Sequence, residues 1–277
     1  MSPALPILCL LFATAPDIET QFVRVTPVKQ ERHWWDAPGK TRAVVLIHGL
    51  QVHPFSKTNV LRPHPHGWQK ADSLLVKKLA ADSDVFAFSY GQTAGADDIA
   101  GCPDLEQHIR QLRRDGYRDI VLIGHSAGGV IARQFVEDHP DCGVTKVIQV
   151  CAPNGGSGWA KWQTVRANQV DFLDSLTKPV RRRMQSERSE KVIPENVEFV
   201  CVVGTGTVVG DGLVSTRSQY PPDLQRQGIP AYPFNSTHWM VLRSQKGVEL
   251  VTRLVRQPQP RWDAKHVEAV RHRLHED

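Results

Sequence analysis

Short apolar runs recur along most of this sequence, with amphipathic stretches between them. Predominantly apolar runs lie at 43–47, 85–88, 120–123, 147–150 and 197–203, the first of them without a polar residue. A strand that is buried on both faces of a parallel sheet has this pattern. The alternating segment 22–26 predicts a half-exposed edge strand, and 231–234 predicts a weak last strand because Pro233 favours a sheet edge or a strand end.

Helical periodicity occupies the intervals between these runs. The segments predicted as helices are 68–81, the region of Leu105, Ile109 and Leu112, 130–136 and 241–255. Strands that alternate with helices predict an α/β fold, with a mostly parallel sheet covered by helices on both faces. We expect this domain to span residues 21–257, with residues 258–277 forming a C-terminal peripheral helix or a frayed tail.

The N-terminal 20 residues contain the apolar segment 5–15, which ends in an Ala-x-Ala-like site. Such a segment resembles the core of a signal peptide. No Lys or Arg precedes it, and Pro16 would follow the cleavage site, so an apolar arm packed on the fold is the alternative. The location is therefore open between a secreted or periplasmic protein and a cytoplasmic one.

The overall composition is that of a globular protein, with 40% hydrophobic and 23% charged residues among 277. The net charge of +5 is scattered, apart from the run Arg181, Arg182 and Arg183. A solvated basic surface is therefore favoured over nucleic-acid binding, although peripheral contact with an anionic lipid surface stays open. The oligomeric state does not follow from the sequence.

The cysteines differ in their sequence surroundings. Cys151 and Cys201 lie in apolar, strand-like runs and are predicted to be buried thiols. Cys102 and Cys142 lie in loop-like surroundings, where an oxidising compartment would permit them to pair. The chain has no Cys-x-x-Cys motif, which disfavours a structural zinc site.

The motif Gly-His-Ser-Ala-Gly spans residues 124–128, between the apolar run 120–123 and the helical segment 130–136. A strand, Gly-x-Ser-x-Gly and a helix in this order are the context of a nucleophile elbow. Small residues are needed there because the turn is sharp and its neighbours approach closely. We therefore predict that Ser126 is a nucleophile, the alternative being a glycine-rich turn in an unrelated α/β protein.

A serine nucleophile needs a base and a group that orients the base. In nucleophile-elbow proteins the acid and the histidine follow the serine in that order. Asp211 comes after the run 197–203 and His238 comes after the last predicted strand, which makes them the candidates. Asp211 as a plain turn residue is the alternative, with Asp223 and Asp174 as reserve acids.

The other histidines receive structural or solvent-exposed roles. His125 occupies the variable position of the elbow, where its side chain should point away from the substrate. His53, His64 and His66 lie in a Pro-rich loop, where solvated side chains are favoured over a metal site. The predicted chemistry uses neither a metal nor a cofactor.

Acyl transfer at a serine needs two N–H donors for the oxyanion. One is the backbone N–H of Ala127, at the start of the helix that follows the nucleophile. The second is expected from the loop after 43–47, and we predict the N–H of Leu50 for this role.

These pieces together resemble the α/β-hydrolase superfamily and, within it, the lipase-like serine esterases. The matching segments are Ile-His-Gly-Leu at 47–50, Gly-His-Ser-Ala-Gly-Gly at 124–129, Cys-Ala-Pro-Asn-Gly-Gly-Ser at 151–157, Gly-Asp-Gly-Leu-Val-Ser at 210–215 and His238. The segment 151–157 is similar to a strand-end segment of lipases that act on acylglycerols. It departs from that pattern at Asn154, where those lipases often have histidine.

The resemblance implies that residues 155–195 form a helical cap or lid above Ser126. Trp159 and Trp162 in this segment would suit an acyl chain, or would pin the segment to the core. Three further candidates for substrate contact lie near the predicted oxyanion loop, namely His48, Phe55 and Trp68.

The sequence therefore predicts a serine hydrolase that cleaves carboxylic, lipid-like esters through an acyl-enzyme. Acyl transfer to an alcohol or lipid, amide cleavage and a non-catalytic protein of the same fold that binds a ligand remain alternatives.

Overall fold

Seven strands form one sheet in the part of the chain that a computed structural model describes, residues 18–27, 39–51, 62–161 and 169–275. The strands are β1 (Thr20–Arg24), β2 (Arg42–Ile47), β3 (Asp84–Tyr90), β4 (Asp119–His125), β5 (Lys146–Val150), β6 (Glu198–Gly204) and β7 (Ala231–Phe234). Their order across the sheet is β1-β3-β2-β4-β5-β6-β7. Strand β1 is antiparallel to β3, and the other neighbouring pairs are parallel, which confirms the predicted sheet.

Helices connect most of these strands. They are α1 (Leu74–Leu79), α2 (Ala96–Ala100), α3 (Pro103–Arg114), α4 (Ala127–Asp138), α5 (Val170–Ser175), α6 (Lys178–Glu187), α7 (Thr216–Gln219), α8 (Pro222–Arg226), α9 (Gln245–Arg256) and α10 (Ala264–His275). Short 3₁₀ turns span Gly67–Gln69 and Trp159–Lys161. Within the described residues, no helix has the length and apolar character needed to cross a membrane.

The core has two halves because successive side chains of a strand point to opposite faces of the sheet. On one face, Val45 and Leu122 pack with the apolar sides of α2, α3, α4 and α10. On the other face, Val44 and Ile123 pack with α1 and α9. Helices therefore cover both faces, as the alternation of apolar runs and helical segments predicted.

Two helices are shorter than their periodicity predicts, because serine residues cap them. The predicted helix 68–81 contains α1, which begins after Ser73, and the predicted helix 241–255 contains most of α9, which begins after Ser244. Each serine hydroxyl accepts the backbone N–H three residues further along, at 3.2 Å. This bond satisfies a donor that the first helical turn leaves unpaired.

The segment predicted as a cap contains α5 and α6. Phe172 and Leu176 are buried in the core, and the Phe172 ring lies 6.0 Å from that of Tyr90. These side chains therefore pin the cap to the sheet. Residues 162–168 of the cap, including Trp162, lie outside the described residues.

The described part of the C-terminal stretch 258–277 contains the helix α10, which buries Val270 and Leu274. The apolar segment 5–15 lies outside the described residues.

All four described cysteines are free thiols: Cys151 and Cys201 are buried as predicted, Cys142 is buried, and Cys102 is half-buried.

Candidate active site

Ser126 lies on the sharp turn between β4 and α4. Its backbone has φ 56° and ψ −127°, a conformation that costs a non-glycine residue of order 1–3 kcal/mol. A Cβ on Gly124 would lie 2.3 Å from the carbonyl oxygen of Gly128, and one on Gly128 would lie 2.2 Å from that of Ile47. Because only glycine fits at both positions, the turn has the geometry that the motif predicted.

Asp211 and His238 form a buried hydrogen-bonded pair, with 2.7 Å between Nδ1 of the imidazole and Oδ2 of the carboxylate. The other carboxylate oxygen accepts the N–H groups of Leu213 at 2.9 Å and Val214 at 2.8 Å. Burial raises the pKa of Asp211, but the His238 hydrogen bond and charge and the two N–H groups together outweigh it, so the pKa lies below its ordinary value. Asp211 is therefore ionised at neutral pH and can orient His238.

The carboxyl ends of parallel strands bring the predicted site residues to one edge of the sheet. Ser126 directly follows β4, Asp211 lies in the loop after β6, and His238 lies in the loop after β7. The backbone N–H of His238 also donates to the carbonyl oxygen of Asp211 at 2.9 Å. The two loops thus hold each other independently of the side-chain bond.

His125 connects the serine turn to the histidine loop. Its Nε2 donates to the carbonyl oxygen of His238 at 2.8 Å, and the two rings lie 4.8 Å apart. Burial, followed by the charge of His238, lowers the pKa of His125 to about 3, so the ring is neutral near pH 7. The structural role predicted for His125 fits this placement, next to Ser126 and against the base.

The predicted oxyanion donors lie on either side of Ser126. A Cβ on Gly49 would lie 2.5 Å from Cβ of Ser126 and 3.1 Å from its Oγ, so the loop after β2 touches Ser126. Leu50 follows in this loop and packs partly against the core. Ala127 is the first residue of α4, where backbone N–H groups have no partner within the helix.

His48 is fully buried, in the loop that follows β2. Its ring stacks on that of Tyr90 at 4.3 Å, and its Nδ1 lies 2.7 Å from the carbonyl oxygen of Gly49. Predicted as a candidate for substrate contact, the His48 side chain instead contacts the loop that surrounds Ser126.

The other predicted substrate contacts have different surroundings. Trp68 is 4% exposed and packs in the core, with its ring edge-on to His125 at 6.1 Å. Trp159, on the cap, is 52% exposed. Phe55 and Trp162 lie outside the described residues.

The reserve acids have other functions in the fold. Asp223 forms an ion pair with the Arg133 guanidinium, which also binds Glu137. Asp174 lies in α5 of the cap. Neither carboxylate is the partner that His238 binds through Nδ1.

Among the described residues, one group of three side chains has donor atoms close enough together for a metal ion, namely Cys151, Asp211 and His238, all within 4.8 Å of one another. The hydrogen bond between His238 and Asp211 already uses the facing atoms of that group. His64 and His66 do not belong to it, and His53 lies outside the described residues.

A cluster of buried amide side chains, which the sequence analysis missed, binds the backbone near Ser126 and Asp211. Gln149 donates to the Gly129 carbonyl oxygen at 2.7 Å and exchanges two hydrogen bonds with Asn154. Asn154 also donates to the carbonyl oxygen of Gln219, whose side chain bonds the backbone of Gly204 and of Val214 beside Asp211. The available signal was Gln149 itself, since an amide inside an apolar strand must find partners.

The serine turn, the acid–histidine pair and the mostly parallel sheet together define an α/β-hydrolase architecture. The chain belongs to the alpha/beta hydrolase family, whose family model matches residues 44–277. A search of curated proteins by sequence gave no match.

Several solved structures have a similar fold. The mature form of a Bacillus licheniformis lipase has a TM-score of 0.61 and 14% identity, over 85% of this chain and 98% of that one. Phospholipase PlaB from Legionella pneumophila has a TM-score of 0.57 and 15% identity, over 86% and 64% of the two chains. A metagenomic carboxyl esterase has a TM-score of 0.53 and 16% identity, over 92% and 83%. At these identities the likeness is one of fold.

Proposed function

We propose that this protein is a serine hydrolase that cleaves carboxylic esters through an acyl-enzyme. One observation carries the proposal: the buried pair of Asp211 and His238 is joined, through His125, to the strained turn that holds Ser126. A nucleophile, a base and an ionised group that orients the base are the parts that such a reaction needs.

In this mechanism Nε2 of His238 takes the proton of the Ser126 hydroxyl while Oγ attacks the ester carbonyl carbon. The oxyanion that forms accepts the N–H groups of Leu50 and Ala127. His238 then gives its proton to the leaving alcohol as the tetrahedral species collapses to the acyl-enzyme. Water, deprotonated by His238, attacks the acyl carbon, and His238 returns this proton to Oγ as the second tetrahedral species collapses to the acid and the free serine. Asp211 keeps its charge throughout and stabilises the imidazolium.

A lipid-like ester is the substrate class that we favour. Apolar side chains are exposed in segments next to the site, where a lipid or a membrane surface would meet them. They are Trp159 and Val170 on the cap, Val208 and Val209 before Asp211, and Trp239 and Met240 after His238. The lipase and phospholipase names of two similar structures favour the same class.

The test is hydrolysis of p-nitrophenyl esters from acetate to palmitate by the wild type and by Ser126→Ala. We expect activity that the substitution abolishes, with a preference for long acyl chains. A preference for acetate would instead indicate a carboxylesterase, and wild-type activity retained in Ser126→Ala would contradict the proposed nucleophile.

Labelling with a fluorophosphonate separates a catalytic protein from a non-catalytic one of the same fold. We expect Ser126 to be modified in the wild type and modification to be lost in His238→Ala, because the hydroxyl is a weak nucleophile without its base. Labelling without hydrolysis of any ester would shift the assignment to acyl transfer or amide cleavage.

A further inference from the structure

Three buried glutamines connect the loop beside Ser126 to the cap. Gln51, Gln92 and Gln169 are 6%, 2% and 1% exposed. Gln92 accepts the backbone N–H of Gln51 at 3.1 Å and the side-chain N–H of Gln169 at 2.6 Å. Gln169 uses its second amide hydrogen on the carbonyl oxygen of Gln51 at 3.0 Å. We call these three residues, of which Gln51 takes part through its backbone, the glutamine cluster.

Through Gln92, the glutamine cluster is hydrogen-bonded to the peptide group between Gly49 and Leu50. Nε2 of Gln92 donates to the carbonyl oxygen of Gly49 at 2.9 Å. The same oxygen lies 2.7 Å from Nδ1 of His48. Two donors from different elements therefore hold one carbonyl group.

The tautomer of His48 follows from its second partner. The backbone N–H of Tyr90 points to Nε2 of His48 at 3.4 Å, so Nε2 accepts and Nδ1 carries the hydrogen. Burial lowers the pKa of His48 to about 3, which keeps this neutral form near pH 7. The Tyr90 hydroxyl in turn donates to the carbonyl oxygen of His48 at 2.6 Å.

A trans peptide is planar, and its N–H points away from its C=O. Donors that hold the carbonyl of Gly49 therefore also fix the direction of the Leu50 N–H. The adjacent Cα of Gly49 lies against Ser126. The orientation of this peptide thus determines whether its N–H can meet an oxyanion formed at the serine.

We infer that Gln92 is a positioning residue for the oxyanion donor Leu50, and that Gln169 makes this positioning depend on the seating of α5 in the cap. The inference rests on the proposed function. Helix α5 begins directly after Gln169 and is anchored twice more, by Phe172 against Tyr90 and by the Ser175 hydroxyl, which accepts the Ala96 N–H at 3.0 Å. If α5 moved away from the sheet, Gln169 would lose its hydrogen bond to Gln92. The peptide group between Gly49 and Leu50 would then be held less firmly by Gln92.

The substitution Gln92→Glu tests the donor alone. The introduced carboxyl keeps the oxygen that faces Gln51 and Gln169, but when ionised it has no hydrogen for the Gly49 carbonyl. At a pH where this carboxyl is ionised, we expect kcat to fall about 10-fold or more with KM unchanged, since the oxyanion interaction is made in the transition state. Burial favours the neutral carboxyl, whose O–H can donate. The ratio of variant to wild-type kcat should therefore recover as pH is lowered, a signature that a packing defect would not give.

The substitution Gln169→Met tests the link to the cap, because it keeps a similar volume and removes both bonds. We expect kcat to fall about 3-fold or more, again with unchanged KM. Gln259→Met is the matched control: this glutamine is 4% exposed and bonds the carbonyl oxygen of Gln257 and the Tyr232 hydroxyl, remote from the loop. It should keep the wild-type kcat even if its melting temperature falls.

Inhibition by a trifluoromethyl ketone, which forms an oxyanion on Ser126, completes the experiment. Weaker inhibition in Gln92→Glu and Gln169→Met, in proportion to the loss of kcat/KM, supports the inference. Folded variants with wild-type kcat and inhibition, or with a raised KM alone, overturn it while the proposed function stands. If Gln92→Glu does not fold, Gln169→Met decides in the same way. A wild type without ester hydrolysis or serine labelling overturns the proposed function, and the inference with it.

Discussion

Asp211 is hydrogen-bonded both to its own loop and to His238. One carboxylate oxygen accepts two backbone N–H groups from the next residues, and the other faces Nδ1 of His238. The carboxylate therefore cannot rotate without losing three hydrogen bonds. At the residue scale, the proposed mechanism depends on a single tautomer of His238, with Nδ1 protonated and Nε2 free for the serine.

Replacing Asp211 by Asn should abolish that preference, because an amide N–H facing Nδ1 favours the wrong tautomer. We expect kcat/KM for a p-nitrophenyl ester to fall roughly 10³- to 10⁴-fold. Asp223→Asn is the matched control, since the Asp223 carboxylate pairs with Arg133 on α4. If both substitutions reduced kcat/KM equally, the assignment of Asp211 as the orienting acid would be wrong.

At the scale of elements, the end of β2 and the start of α4 approach so closely that side chains are excluded between them. Gly49 contacts Ser126 from one side, and Gly128 contacts the carbonyl oxygens of Ile47 and His48 from the other. The loop after β2 and the serine turn thus form one packed unit, and their relative position is set by backbone contact.

The substitution Gly49→Ala should disturb this unit directly. Its Cβ would lie 2.5 Å from Cβ of Ser126, so the loop or the serine has to move. A displacement of this size next to the reacting atoms should lower kcat/KM about 100-fold. Gly67→Ala is the control, because a Cβ there meets nothing within 4 Å. Ester kinetics and thermal unfolding of both variants check this, and wild-type kinetics in Gly49→Ala would contradict it.

The sequence predicted the residues that follow a strand and did not predict the buried side chains whose partners are distant in sequence. Ser126, Asp211 and His238 each follow an apolar strand, so chain order and strand context were enough to select them. Gln92 and Gln169 carried no such signal, because a buried polar side chain reveals its role only through partners distant in sequence. The Gln169–Gln51 bond joins residues 118 positions apart. The start of α9 was missed for a local reason, since the cap at Ser244 outweighed the apolar pattern.

For the whole molecule, two buried histidines near the active site make the free energy of unfolding depend on pH. Burial lowers the pKa of both His48 and His125 to about 3, against an ordinary value of 6.5. Between these values the unfolded chain binds protons that the folded chain does not, so stability is full above about pH 6.5 and is lost as the pH falls. Acid should therefore lower the free energy of unfolding through these two histidines.

We expect the free energy of unfolding to decrease by about 3 kcal/mol per pH unit between pH 6 and 4, for two protons at 2.303RT each. His125→Gln keeps a donor for the His238 carbonyl and should remove about half of that slope. Urea unfolding at several pH values measures the slopes, and equal slopes in the wild type and His125→Gln would refute the prediction.

The backbone conformation of Ser126 lowers the stability of the fold at the residue that we propose as the nucleophile. Glycine adopts a φ of 56° without a Cβ clash, so a chain with glycine at this position loses the proposed nucleophile and the conformational penalty together. After the extra flexibility of an unfolded glycine is subtracted, such a chain should be more stable by about 1 kcal/mol. Directed evolution for heat resistance alone would therefore enrich inactive chains, and turnover has to be selected in the same round to retain the serine.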